Sequence, residues 1–337
     1  MKEKVRIAVV GAGYITKLNI AALLDIPEAE ICGISNHHPE KAAALIRELG
    51  VSCPVYADWN TLLAETKPDV AAIFLPHHVH KEAFLDACRA GVDICIEKPF
   101  ARDEAESEEM LAAARAAGVR VSLCHTQRYN AAYVAVKKYI AEHPELGRLL
   151  SVEDHINYHY FWQGRAPWML SQEQSGGGIL LNYGVHQLDR VHYLMDDMTD
   201  EEIEIRPYVE KPGYEIYSAY SMIGTSRGGI QYSIFCAGYN GPSDNGTMLC
   251  FENGTIRCVL GGGGLAPEGL FAGSAKTGRY EAVGDLPEQT AQAMYVRQFR
   301  EAVDYFLGKT DVPPVSMEWG ADMVRLVRTG IRRVEDK

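Results

Sequence analysis

No cluster of lysine and arginine occurs in the 337 residues, whose formal net charge is −12 with a pI near 5.4. A duplex-binding protein needs such a cluster to neutralise phosphates, so nucleic acid is excluded as a partner. No apolar run approaches the length of a membrane span, which excludes a helical membrane anchor. Eight cysteines are present but no C-x-x-C. Cys32, Cys95 and Cys124 fall in strand-like apolar runs and Cys88 in a helix-like one, so they read as buried reduced thiols of a cytoplasmic protein. The opening MKEKVRIAVV has too short an apolar stretch for a signal peptide. Repeats and low-complexity segments are also missing. The segment PHHVHKE (76–82) holds His77, His78 and His80 without accompanying carboxylate or cysteine ligands, so no metal is expected.

What is present is ordinary globular material, 47% apolar and 23% charged, and enough of it for two domains. Residues 1–124 alternate strand and helix. VRIAVV (5–10), AEICGI (29–34), Val55-Tyr56, VAAIFL (70–75), DICI (93–96) and VRVSL (119–123) are the strands. Between them lie helices over 14–24, 39–49, 59–65, 79–90 and 103–117, with Asp58 a candidate cap and Gly91 and Gly118 as stops. Strands without polar alternation are buried on both faces, which predicts a doubly wound α/β parallel sheet.

Residues 125–337 follow another grammar, that of a second, α+β domain dominated by antiparallel sheet. Long strands are predicted over 149–161 and near 203–210, 215–224 and 229–238. Asn253-Gly254 predicts a type I′ hairpin. GGGG (261–264) and the stretch to Gly278 read as a mobile loop, and helices over 288–307 and 317–334 finish the chain.

Two glycines sit between the first strand and helix, in VVGAGYITKL. Gly11 permits the tight turn and Gly13 lets backbone approach a pyrophosphate at the helix N-terminus. The third glycine of that fingerprint is missing; Thr16 stands there. At the end of the second strand Ser35, Asn36 and His37 occupy the corner where a carboxylate usually holds a ribose. The corner leaves NAD and NADP both open. The fifth strand ends in Glu97-Lys98-Pro99, with proline fixing the backbone immediately after the lysine. In open α/β sheets ligands bind beyond the strands' carboxyl ends, so Gly11, Pro76, His77 and Lys98 share one ligand edge. Further on, GGGILLNYGVHQLDRVHYLM (176–195) reads as a helix. Asn182, His186 and Asp189 are at i, i+4 and i+7, hence on one face, with Leu181, Val185, Leu188 and Met195 opposite. His155, Asn157 and His159 alternate and share a strand face.

Strand-GAGYI-helix, EKP and GGGILLNYGVHQLD together resemble the family of glucose–fructose oxidoreductase and inositol dehydrogenase (Gfo/Idh/MocA), over nearly the whole chain. The resemblance implies a Rossmann domain followed by an α+β domain with a large, mostly antiparallel open sheet, bound NAD or NADP, and hydride transfer at a carbinol of a sugar, cyclitol or related polyol. It implies that Tyr14 and Ile15 of GAGYI, Pro76 and His77 line the cofactor, that Glu97 lies near the nicotinamide ribose, and that Lys98 is catalytic; His80 reads as sitting at a helix start and is a further cofactor-binding candidate. The candidate mechanism has His186 taking the hydroxyl proton while Lys98 stabilises charge on the same oxygen. The family usually has aspartate where this chain has Asn182, and an amide cannot ionise. Thr126, Arg128, Trp168, Tyr183 and Asp189 are the substrate candidates; the other reading of Arg128 is an interdomain salt bridge. A homo-oligomer, dimer or tetramer, is implied through the C-terminal sheet. The alternatives are a non-catalytic nucleotide-binding regulator or sensor on the same fold and an enzyme acting on another small carbonyl or diol.

Overall fold

The computed structural model describes residues 3–198, 203–208, 211–239, 241–262, 268–283 and 290–335. They form two compact units, one of Met1–Thr126 with Thr290–Val324 and one of Gln127–Gln289 with Arg325–Lys337.

The first unit holds six strands: β1 (Val5–Val10), β2 (Ala29–Ser35), β3 (Val55–Tyr56), β4 (Val70–Ile73), β5 (Asp93–Glu97) and β6 (Val121–Cys124). All pair in parallel, in the order β3-β2-β1-β4-β5-β6. Order reverses between β1 and β4, which makes their carboxyl ends the switch point where such sheets open a crevice. The connecting helices are α1 (Tyr14–Leu24), α2 (Pro39–Glu48), α3 (Trp59–Thr66), α4 (His77–Arg89) and α5 (Glu104–Ala117). Asp58 caps α3 by accepting the Thr61 N–H at 2.8 Å, and Gly118 ends α5 at φ 67°. Val5, Ile7 and Val9 of β1 enter one core, Ala8 and Val10 the other, so both sheet faces are sealed.

A single cut after residue 124 misses one feature. A late helix, running over Ala291–Phe306, sends Phe299, Ala302, Val303 and Phe306 into the core of β1 and α1, so it belongs to the first unit. Apolar burial assigns it, and sequence distance does not oppose that assignment strongly.

In the second unit the helices are α6 (Ala131–Glu142), α7 (Gln172–Ser175) and α8 (Val185–Met195), the last preceded by a π-helical turn over Leu180–Gly184. The late helices are α9 (Ala291–Phe306) and α10 (Met317–Glu335), and α10 contributes residues to both units. Eight strands follow one another in the second sheet: β7 (Leu149–Asn157), β8 (Ile203–Tyr208), β9 (Ala219–Thr225), β10 (Gln231–Ala237), β11 (Asp244–Phe251), β12 (Thr255–Gly262), β13 (Gly269–Gly273) and β14 (Tyr280–Ala282). Their order is β14-β13-β12-β11-β7-β10-β9-β8, antiparallel except where β7 meets β10. Helices α6 and α8 pack on this sheet.

The sequence expectations shift at several places here. Residues 209–210, 263–267 and 288–289, which fell within expected elements, lie outside the described residues. Gly261 and Gly262 continue β12, and Gly269–Gly273 pairs with it, so much of the expected mobile loop is ladder. The hairpin at Asn253-Gly254 forms, but neither residue has the positive φ of a type I′ turn. Asn253 instead ties the turn to a neighbouring segment, donating its N–H to Leu146 and its amide to Glu145. Gly254 is closely packed, since a Cβ there would lie 2.9 Å from a Leu146 methyl and 3.1 Å from the Gly273 carbonyl oxygen.

Candidate functional site

The carboxyl edge of the parallel sheet is built mostly from backbone. Gly11 has φ +114°, and a Cβ on it would lie 2.3 Å from the Phe74 carbonyl oxygen, so only glycine lets β1 and β4 approach this closely. Gly13 caps α1 and faces outward; a Cβ there meets nothing within 4 Å. That open space above an N-terminal turn is where a phosphate fits. Thr16 explains the imperfect fingerprint. It is fully buried, and its hydroxyl accepts the Gly13 N–H at 3.1 Å, doing a cap's work from inside the helix. Tyr14 is 81% exposed beside this opening, whereas Ile15 packs on the core.

At the end of β2, Asn36 accepts the His38 N–H at 2.8 Å through its side-chain carbonyl, and His37 is exposed. Past β4, Pro76 caps α4, and the helix begins at His77 rather than Val79. His77 is buried.

His80 lies in the first turn of α4, the helix start expected of it, and is enclosed there. It is 1% exposed, and its two ring nitrogens lie 3.0 Å from the Pro99 carbonyl and 2.8 Å from that of Leu75. Burial holds its pKa down near 4, against the two carbonyls that favour the charged ring; the neutral ring has one N–H and donates to only one of them while packing between the loops after β4 and β5. Thr126, a substrate candidate, is buried, and its hydroxyl donates to Gln298 of α9 at 3.0 Å.

The question of why glutamate precedes Lys98 has a structural answer. Glu97 is buried, with one oxygen accepting from Asn19 Nδ2 at 3.1 Å and the other from the Lys98 N–H at 3.2 Å. Burial raises its carboxyl pKa, opposed by the Lys98 charge. Glu97 therefore fixes the backbone of Lys98, whose peptide bond to Pro99 is cis. Lys98 itself is half-buried at the strand end.

The second group of candidates stands on the helix that ends in α8. Leu181, Val185, Leu188 and Met195 are buried, as the spacing predicts. The polar stripe is not a single open face, however. Asn182 lies inside the π-helical turn, is 5% exposed and bonds the Tyr160 side chain, while His186 is partly exposed. An i+5 turn changes the angular step, and such turns concentrate at functional sites. Asp189 is fully buried, and its carboxylate accepts from Arg128 Nε at 2.9 Å and Nη2 at 2.7 Å. The two expected substrate ligands thus hold each other, in a pair internal to the second unit. Tyr183 stacks on Tyr158 with ring centroids 4.9 Å apart, and Trp168 is half-buried in the short 3₁₀ turn Pro167–Leu170.

Two groups escaped the sequence reading. Asp154 of β7 is buried and accepts from Arg190 Nε and Nη2 at 2.6 Å each, Gln187 Nε2 at 2.6 Å and the Thr247 hydroxyl at 2.7 Å. Period two already placed Asp154 between Val152 and Ile156 on the covered face, which was the available signal. The other is Arg165, in the loop after β7. Among the described residues no set of three His, Cys, Asp or Glu side chains is arranged to hold a metal ion. No described helix is long and apolar enough to cross a membrane.

A doubly wound sheet with this glycine turn at its switch point defines the class, a dinucleotide-binding oxidoreductase fold. Residues 5–125 match the family of oxidoreductases with an NAD-binding Rossmann fold called GFO_IDH_MocA, and residues 133–257 match the C-terminal domain of the same family. The chain belongs to the Gfo/Idh/MocA family. It is 28% identical over 232 residues to levoglucosan dehydrogenase of Pseudarthrobacter phenanthrenivorans, covering 67% of this chain and 57% of the relative. It is 29% identical over 202 residues to 1,5-anhydro-D-fructose reductase of Ensifer adhaerens, covering 59% of each. These matches span less than two thirds of the relatives' lengths. A solved levoglucosan dehydrogenase with NADH and levoglucosan shares the fold at a TM-score of 0.84 and 19% identity, with 99% of this chain and 98% of that one covered.

Proposed function

We propose that this protein is an NAD(P)-dependent oxidoreductase that interconverts a carbinol and a ketone on a sugar, cyclitol or related polyol. The observation that carries the reading is the edge of the parallel sheet. There Gly13 leaves open space at the N-terminus of α1, and β5 ends in a lysine whose backbone is held by a buried glutamate. The similarity to two named sugar oxidoreductases supports the substrate class.

Gly11, Gly13 and the first turn of α1 would hold the pyrophosphate, and the Asn36 amide would meet the adenosine ribose. When bound, the nicotinamide carries the hydride. Lys98 is assigned to the reacting oxygen, where its ammonium stabilises developing negative charge. His186 is assigned to the carbinol proton, taken at an imidazole nitrogen and returned when a ketone is reduced. Asn182, held by Tyr160, positions the turn that carries His186. The cysteines, all free, support a reducing compartment such as the cytoplasm. Ile223 and Phe235 are 67% and 46% exposed on the same face of the paired strands β9 and β10. That apolar surface supports a dimer or tetramer through the sheet, which sedimentation equilibrium would detect.

The test is a screen of sugars, cyclitols and polyols with NAD and NADP, followed by nicotinamide absorbance. With an active substrate, Lys98→Met should lower turnover by roughly two orders of magnitude or more while leaving nucleotide affinity intact. Undiminished transfer in the folded variant would return Lys98 to a strand-end charge. Nucleotide binding without turnover on any substrate would favour the regulator.

A further inference from the structure

Arg165 is 8% exposed, and no carboxylate among the described residues pairs with it. A guanidinium keeps its charge at every working pH, so burial cannot neutralise it as it neutralises His80. Its local structure is specific. Tyr158 and Tyr160 extend the line of β7, donating their N–H groups to Ala237 and Gly238. The chain then turns through Gly164, at φ +95°, and the Arg165 N–H donates to the Trp162 carbonyl. This turn lays the guanidinium carbon 3.8 Å from the centre of the Tyr160 ring.

The hydrogen-bonding partners are poor. Nη1 donates to the Met169 sulfur at 3.2 Å, a weak acceptor, and Nη2 to the Tyr158 hydroxyl at 3.3 Å. Nε is buried with no partner. The ring stack offsets part of the desolvation cost, but it supplies no acceptor for the remaining donors. A fork of five donors with two weak acceptors is a site prepared for a planar or tetrahedral oxyanion.

Its place says whose oxyanion. Tyr160 bonds Asn182, and Tyr158 stacks on Tyr183, so the aromatic seat of Arg165 is also the packing of the π-helical turn before His186. We propose that Arg165 anchors an anionic substituent, a carboxylate or phosphate, on the sugar or polyol substrate. The inference rests on the oxidoreductase reading for the word substrate. The subsite itself lies wholly within the second unit.

The test is calorimetric titration of the full chain, with and without NADH, using D-glucuronate, D-glucose 6-phosphate and neutral D-glucose. At least one anion should bind roughly tenfold or more tightly than glucose, the scale of replacing neutral by charge-assisted hydrogen bonds. The neutral methyl ester of glucuronate should lose any advantage of its acid. Preference for glucuronate assigns a carboxylate, and preference for the phosphate ester assigns a phosphoryl group. In Arg165→Gln the advantage should vanish; if that variant fails to fold, the contrast between acid and ester on the wild type decides. Equal binding of anions and glucose, binding of none of them, or an advantage that survives in folded Arg165→Gln overturns the proposal. Loss of NADH binding with the anion preference intact would instead sink the oxidoreductase reading alone.

Discussion

Arg190 and Arg165 lie in the same unit, one on α8 and the other in the loop after β7, and both are nearly sealed from water. Each guanidinium nitrogen of Arg190 has a partner. Asp154 takes two of its donors, Asn245 a third at 3.1 Å, and the Tyr133 ring lies 5.3 Å from its guanidinium carbon. Gln187 and Thr247 complete the carboxylate's shell, and the Tyr220 hydroxyl donates to Gln187. Arg165 has the Tyr160 ring beneath it, the Trp162 and Tyr158 rings at 5.6 and 5.8 Å, and two weak acceptors but no carboxylate among the described residues. The difference separates two uses of one side chain. A buried charge whose every nitrogen is bonded within the chain, and whose counter-charge is a buried carboxylate, fixes how a helix sits on a sheet. A buried charge with donors left over is a recognition element, and its counter-charge arrives with something else.

The comparison is broken most severely by taking away the partner of Arg190. Asp154→Asn leaves a 1%-exposed guanidinium without its carboxylate and should cost about 3–5 kcal/mol in denaturant unfolding. Asp154→Leu combined with Arg190→Met should recover part of that loss, because a packed apolar pair carries no desolvation cost. A single variant within about 1 kcal/mol of the wild type would show that Arg190 is as uncommitted as Arg165.

The same distinction runs through the first unit, where His80 is the committed group. Burial lowers its pKa from 6.5 to about 4, so the folded state holds it neutral while the unfolded chain protonates it between those values. More protons on the unfolded state mean that stability rises with pH there. The contribution is complete above pH 6.5 and is lost as the pH falls towards 4, by about 3 kcal/mol at most. His80→Gln should be less stable at neutral pH yet show a shallower acid slope, read from urea unfolding across that window. Parallel slopes for wild type and variant would mean that the ring is already charged between its two carbonyls.

How much of this was legible in the sequence follows the same line. The parallel sheet, the glycine turn and the lysine at the end of β5 follow from runs of adjacent residues and from where strands must end. The helix before and through α8 was legible from spacing, except that the π-helical turn altered which polar residues share a face. Commitments were not legible. Asp154 finds Gln187, Arg190 and Thr247 at separations of 33, 36 and 93 residues, and Thr126 finds Gln298 172 residues away. Periodicity says that a side chain points inward; only the assembled sheet says which donor meets it. Arg128 and Asp189 show the consequence: the sequence names both as candidates, and only the fold pairs one with the other.

The smallest effect is expected at Asn36, a half-committed group. Its carbonyl oxygen accepts the His38 N–H at 2.8 Å and shapes the turn after β2, which leaves the amide nitrogen for a ribose. An amide donor tolerates a 2′-phosphate as readily as a hydroxyl. Asn36→Asp keeps the acceptor that makes the turn, so the fold should hold. It replaces the amide nitrogen by a charged oxygen that accepts from ribose hydroxyls and repels a phosphate. The ratio of NAD to NADP affinity should therefore rise, by about threefold to tenfold, the scale of one hydrogen bond. Titration of the purified variant with both nucleotides measures it directly. If the ratio stays flat while the protein remains folded, the Asn36 amide is committed elsewhere, and another segment reads the ribose.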